Sequence, residues 1–200
     1  STWSQQQELT ASDGVTGDMF GRNVAISGNT LVASTLFKNS STGAAYVFTR
    51  SGSTWSQQQK LTASDAATGK QFGLSLAIQK DRAVIGSSTG GTGHGAAYVF
   101  ERSGSTWTEQ QKLTVYGYTS ENFGTSVALD QDTIVVGGAP NDVYIFVLDG
   151  TTWVFQAKLV STDPSEYFGI NSVALAENTL VVSGYGKNDS TGAAYVYTRS

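Results

Sequence analysis

The sequence has no cysteine, one histidine and two prolines in 200 residues, and only 14% of it is charged. Without cysteine there is no disulfide, no thiolate zinc site and no cysteine nucleophile. The single histidine, His94, has no second histidine or thiol with which to hold zinc or to run a nucleophile relay. No run of 18 apolar residues is present to cross a bilayer as a helix, and no window keeps an apolar pattern at helical spacing. The formal net charge is −4, with acids and bases interspersed, so there is no basic stripe for nucleic acid or for an anionic membrane. Ser1, in place of an initiator methionine, fits a processed or excised segment.

What is abundant is glycine, at 23 residues, together with Ser, Thr, Gln and Asn. That composition favours strands and turns over helices. The polar residues are also arranged in copies. Gly43 to Leu61 reads GAAYVFTRSGSTWSQQQKL, and Gly95 to Leu113 reads GAAYVFERSGSTWTEQQKL. Asp142 to Leu159, DVYIFVLDGTTWVFQAKL, is a diverged third copy. The fourth is split: GAAYVYTRS ends the chain and STWSQQQEL begins it.

Aligned on Trp3, Trp55, Trp107 and Trp153, the chain divides into units 1–52, 53–104, 105–150 and 151–200. Each holds a Trp-led strand, a Phe-Gly pair, two short apolar runs around a tight turn and a Tyr-Val-Phe type strand. Four strands in a period of about fifty residues predict an all-β chain, a single-domain β-propeller with four antiparallel four-stranded blades. The split copy predicts that Ser1 to Leu9 is the outer strand beside Gly192 to Thr198, covering an edge that would otherwise invite association. The same joint also suits a segment cut from a longer tandem array, or self-association of chains head to tail into a larger ring or filament.

Period-2 alternation puts Trp153, Phe155, Ala157 and Leu159 on one face of their strand. The pairs Phe20-Gly21, Phe72-Gly73, Phe123-Gly124 and Phe168-Gly169 are read as packing: a ring fills the gap between sheets while the backbone comes close. Unit four has Ile170 and Asn171 where units two and three have one residue, which predicts a bulge.

The four Phe-Gly pairs, the apolar runs after them and Gly137-Gly138-Ala139-Pro140 resemble the FG-GAP repeat of the integrin α-subunit β-propeller and its relatives. The resemblance covers the whole chain and implies an adhesive or scaffolding module of an extracellular or surface protein. Its partner would be a protein or a glycan at the cell surface. Integrin-type blades often carry a long acidic calcium loop. Here Asp130 and Asp132 lie on a turn too short to wrap the ion, and Asp13 and Asp18 are read as satisfying loop amides. No metal and no other cofactor is expected.

No convergent catalytic set is visible, so no enzymatic activity is expected. The carboxylates are scattered on loops, which leaves a hydrolase with two facing acids as a remote reading. The glycine-rich loop before His94 lacks the lysine and helix of a phosphate loop. Two sequons, Asn39-Ser40-Ser41 and Asn188-Asp189-Ser190, fall in the same loop of units one and four and would carry glycan in a secreted eukaryotic chain. Tyr116, Tyr118, Tyr167 and Tyr185 are loop aromatics suited to stacking on a ligand or anchoring a partner. A small lectin is therefore the alternative to an adhesive module.

Overall fold

In the computed structural model, residues 1–88, 94–115, 122–138, 141–161, 163 and 166–199 are described. Blade one is an antiparallel sheet of β1 (Val24–Ser27), β2 (Thr30–Thr35), β3 (Ala44–Ser51) and β4 (Thr54–Leu61), in that order, so the Trp-led strand that opens unit two is the outer strand of the blade before it. Blade two repeats it with β5 (Ser75–Gln79), β6 (Arg82–Ser87), β7 (Ala96–Ser103) and β8 (Thr106–Leu113). Blade three does so with β9 (Ser126–Asp130), β10 (Thr133–Gly138), β11 (Asp142–Asp149) and β12 (Thr152–Val160). Blade four has three strands among the described residues, β13 (Val173–Ala176), β14 (Thr179–Gly184) and β15 (Ala193–Thr198). The fold is a four-blade β-propeller in which the last blade is one strand short.

The turns explain why consecutive runs pair with their neighbours. Gly52, Gly104 and Gly150 join the third and fourth strands of their blades at φ of 60°, 62° and 62°, the left-handed region that glycine enters without penalty. The middle strands β2, β6 and β10 are almost wholly buried and correspondingly apolar.

The blades stack through three apolar junctions. The first joins Val32, Val47 and Leu61 of blade one to Phe72, Tyr98 and Trp107 of blade two. The second and third repeat it, with Phe123, Tyr144 and Trp153, and then with Phe168, Tyr195 and Tyr197, as the aromatic side. Each Phe of a Phe-Gly pair meets its own blade's Tyr edge-on, as in Phe72–Tyr98 at 5.4 Å and Phe123–Tyr144 at 5.3 Å between centroids. The glycine lets the preceding blade approach: a Cβ on Gly73 would fall 2.6 Å from Ser34 Cβ. The packing reading of the Phe-Gly pair therefore holds at these junctions.

Three expectations need correction. First, β4, β8 and β12 each carry one extra residue, Gln58, Gln110 and Gln156, opposite their neighbours. This bulge flips the alternation, so Trp107 packs in the junction before its strand and Leu113 in the junction after it. Trp153 and Leu159 likewise serve different junctions rather than one face. Second, unit four's extra residue stays in the turn before β13, whose register with β14 is unbroken, so no bulge forms there.

Third, Ser1 to Leu9 does not pair with β15, and Trp3 is fully exposed. The segment lies along blade one instead. Gln7 Nε2 donates to the Trp55 carbonyl at 2.9 Å and Gln7 Oε1 accepts the Trp55 N–H at 2.8 Å, while Leu9 joins the cluster of Tyr46 and Phe48. Gln59 holds Trp107 and Gln111 holds Trp153 through the same pair of bonds. The N-terminal segment thus sits where the outer strand of a preceding blade would be. β1 packs on β5, β5 on β9 and β9 on β13, but no comparable packing joins β13 to β1, so the ends of the arc stay apart.

Candidate ligand-binding surface

The third strand of each blade presents one tyrosine hydroxyl to one carboxylate. Tyr46 donates to Asp13 at 2.6 Å, Tyr98 to Asp65 at 2.6 Å, Tyr144 to Asp142 at 3.1 Å and Tyr195 to Glu166 at 2.5 Å. In blades one to three a lysine completes the cluster from the strand opposite the tyrosine. Lys60, Lys112 and Lys158 each bind the carboxylate, at 2.7, 2.7 and 2.6 Å, and lie over the tyrosine ring. In blade four that strand is missing, and Lys187, from the loop after β14, binds Glu166.

The charges shift accordingly. The Lys60 ammonium and the Tyr46 hydroxyl hold the Asp13 carboxyl down at about 2. Burial alone would raise Asp65, but Lys112, Tyr98 and Lys70 outweigh it and keep the carboxyl well below the usual range. Burial also opposes ionisation of Glu166, and Lys187, Ser161 and Tyr195 overcome it, leaving the carboxyl at about 2. Asp18 accepts the Val15 N–H at 2.9 Å, as read from its loop position, and it also binds buried Lys38 at 2.8 Å. These are satisfied charges built into the blades rather than acids poised over a cleft.

Of the four candidate tyrosines, Tyr167 and Tyr185 are brought together, whereas Tyr116 and Tyr118 lie outside the described residues. The two rings stack at 4.8 Å with only 4° between their planes. They are 47% and 48% exposed, so they pack on each other at the surface rather than between blades. Gly186 N–H donates to the Glu166 carbonyl at 3.0 Å, which ties the two loops together beneath the pair. Tyr167 has φ of 52°, but so, within a few degrees, do Met19 at 55° and Gln71 at 50° before their own Phe-Gly pairs. That conformation belongs to the blade turn and is not special to the tyrosine.

Asn39 and Asn188 are both exposed and occupy matching turns at φ of 50° and 48°, a region asparagine tolerates. Asp130 accepts from Gln79 and from the Glu177 N–H, and Asp132 faces Arg82 at 3.4 Å, so both link hairpin tips of adjacent blades. His94 is exposed at the border of residues 89–93, and Ala139 and Pro140 of the Gly-Gly-Ala-Pro stretch also lie outside the described residues. Among the described residues no three His, Cys, Asp or Glu side chains are grouped to hold a metal. Among the same described residues, no helix is long and apolar enough to cross a membrane.

The comparisons agree with this geometry. The FG-GAP repeat family model matches residues 3–48, 55–100, 107–146 and 153–197. No curated protein matches the chain. Among solved structures, the computationally designed Ika4 protein is similar at 16% identity, with a TM-score of 0.59 over 97% of this chain and 99% of that one. The glutaminyl cyclase of Myxococcus xanthus aligns at 13% identity and a TM-score of 0.49, over 84% of this chain and 62% of the enzyme. Each matched segment runs from the N-terminal segment or the outer strand of one blade through the first three strands of the next, and the chain belongs to the FG-GAP repeat family.

Proposed function

We propose that the chain is a non-catalytic FG-GAP propeller module of an extracellular or surface protein, with a structural or adhesive role towards a protein partner. The observation that carries this reading is the use made of charge. The displaced carboxylates Asp13, Asp65 and Glu166 are each spent on a tyrosine hydroxyl and a lysine of the blades. A scaffold uses ionisable groups in this way, whereas a hydrolase keeps two of them facing one substrate. The test is attachment of beads coated with the folded chain to a panel of matrix and cell-surface proteins. Saturable attachment that is lost on unfolding the chain is expected, and a blank panel would overturn the reading.

A second reading, a small lectin, is favoured by the Tyr167–Tyr185 stack. Half-exposed rings held rigidly at a blade rim offer the flat apolar face that a sugar ring covers. A glycan array probed with the chain and with Tyr185→Ala distinguishes the two. Binding that disappears in the variant supports the lectin, and an array blank for both removes it. If the source is eukaryotic and the chain is secreted, intact mass before and after glycosidase treatment should show glycan at Asn39 and Asn188.

A further inference from the structure

Each complete junction receives a tryptophan from the blade that follows it. Trp107 enters the first, with Arg102 over its ring at 5.4 Å, its indole N–H on Gln58 at 3.1 Å and Arg102 reaching back to Thr30 at 3.0 Å. The third junction has the same frame without the ring. A cavity of about 210 Å³ opens between blades three and four, lined by Val135, Ile145, Leu159, Leu180 and Tyr197, with Gln156 at its edge. By the repeat these are the counterparts of Val32, Val47, Leu61, Ala83, Phe100 and Gln58. Arg199 reaches Thr133 at 3.2 Å and Asn178 at 3.1 Å, as Arg102 reaches Thr30 and Asp81. All four tryptophans are described, and none enters this slot.

The missing part is present elsewhere in the chain. Trp3 is the counterpart of Trp107, and Ser1 to Leu9 is held on blade one as the outer strand of a preceding blade, its indole in solvent. The two ends of the arc are also unfinished in matching ways. Val24 and Ile26 of β1 are 65% and 61% exposed, although their counterparts Leu76 and Ile78 pack in a junction. Val196 of β15 is 65% exposed, although its counterpart Val47 is fully buried. A Cβ on Gly21 would meet nothing within 4 Å, whereas one on Gly73, Gly124 or Gly169 would strike the preceding blade.

We infer that this chain associates head to tail with a second copy of itself. Blade one of one copy docks on blade four of the other, Ser1 to Leu9 adds to the free edge of β15, and Trp3 fills the slot beside Arg199. The occupant is identified by continuity: the surfaces left open are those that the three internal junctions join, residue for residue. Strand addition supplies main-chain hydrogen bonds along the edge, and the Trp slot supplies specificity. One element is weaker than inside the chain. Ala157 stands where Gln59 and Gln111 grip the incoming tryptophan main chain, so the joint between copies is reversible. The contact is heterologous, and it closes a ring or propagates a filament according to its angle. This inference is independent of the adhesive and lectin readings.

The test uses the absence of native cysteine. The register of Thr49 with Ser56 and of Glu101 with Thr108 places Thr198 of one copy opposite Ser4 of the other. The 200-residue chain carrying Ser4→Cys and the same chain carrying Thr198→Cys, mixed under mild oxidation, should give a mixed disulfide between positions 4 and 198, identified by peptide mass, in preference to the homodisulfide of either chain. Adding Trp3→Ala to the Ser4→Cys chain should weaken association by about thirtyfold and remove the product at matched concentration. Circular dichroism of each variant confirms folding, which a surface residue such as Trp3 should not affect. No mixed product would overturn the inference. So would a disulfide formed within single chains of the Ser4→Cys, Thr198→Cys double variant, which would mean that the segment closes on its own blade four.

Discussion

One amide holds the main chain of Trp107 at both ends: Gln59 Oε1 accepts its N–H at 2.7 Å and Gln59 Nε2 donates to its carbonyl at 2.8 Å. The indole is thereby fixed in the junction between blades one and two, where it is 2% exposed. Every tryptophan in the chain occupies the same place in its repeat, but only those with a blade in front of them are enclosed.

Trp107→Ala should therefore cost about 3–5 kcal/mol in urea unfolding, the range for truncating a large buried ring. Trp3→Ala in dilute solution should change stability by less than about 0.5 kcal/mol, as for an exposed residue. Equal effects would contradict the assignment of Trp3 to an unfilled position.

Gly73→Ala and Gly21→Ala form a second matched pair. Both glycines have positive φ, 99° and 84°, so both variants carry backbone strain. Only at Gly73 does the new methyl meet another blade. Overpacking should make Gly73→Ala the more destabilising by about 1–3 kcal/mol in thermal or urea unfolding.

Acid should unfold the chain through the tyrosine–carboxylate clusters. Asp13 and Glu166 are more acidic when folded, at about 2, than their ordinary values of 3.8 and 4.5. Their contribution is complete above those ordinary values and is lost as pH falls towards about 2. The urea midpoint should fall across that window, and Glu166→Gln should flatten its slope. A midpoint flat down to pH 2 in the parent chain would contradict the clusters.

Base should act on the same groups from the other side. Burial first, and then the bond to a carboxylate, raise the hydroxyls of Tyr46 and Tyr98 well above the ordinary tyrosine value of 10.0. Stability from them is complete below that value and is lost as pH rises through the folded one. Ultraviolet titration should show a late-ionising class among the nine tyrosines, and Asp65→Asn should move Tyr98 earlier.

The parts of this architecture that repeat in residue type were legible in the sequence. Phe72-Gly73 and its copies gave the blade count, and the Gly52, Gly104 and Gly150 turns gave the pairing of the outer strands. The bulge at Gln58 was not legible, because Gln57, Gln58 and Gln59 are identical side chains and alternation cannot show which of them is doubled. The clusters had a signal that pairwise motif reading passes over. An aspartate follows Leu9 and Leu61 by four residues, and a lysine precedes Leu61, Leu113 and Leu159. Blade four breaks the pattern: the strand that carries the lysine in the other blades is missing there and Lys187 takes over, a substitution visible only in three dimensions. Tyr167 and Tyr185 were nominated singly as loop aromatics; that they stack depends on a turn-to-turn hydrogen bond absent from any local pattern.

The most direct measurement of the central claim, that an unfilled Trp slot and an exposed Trp3 are two halves of one junction, is the solution mass of the chain against concentration by light scattering. The parent chain should rise above 21.1 kDa as concentration increases, and Trp3→Ala should stay at 21.1 kDa over the same range. A parent chain that holds 21.1 kDa throughout, or a Trp3→Ala variant that assembles as readily as the parent, would contradict it.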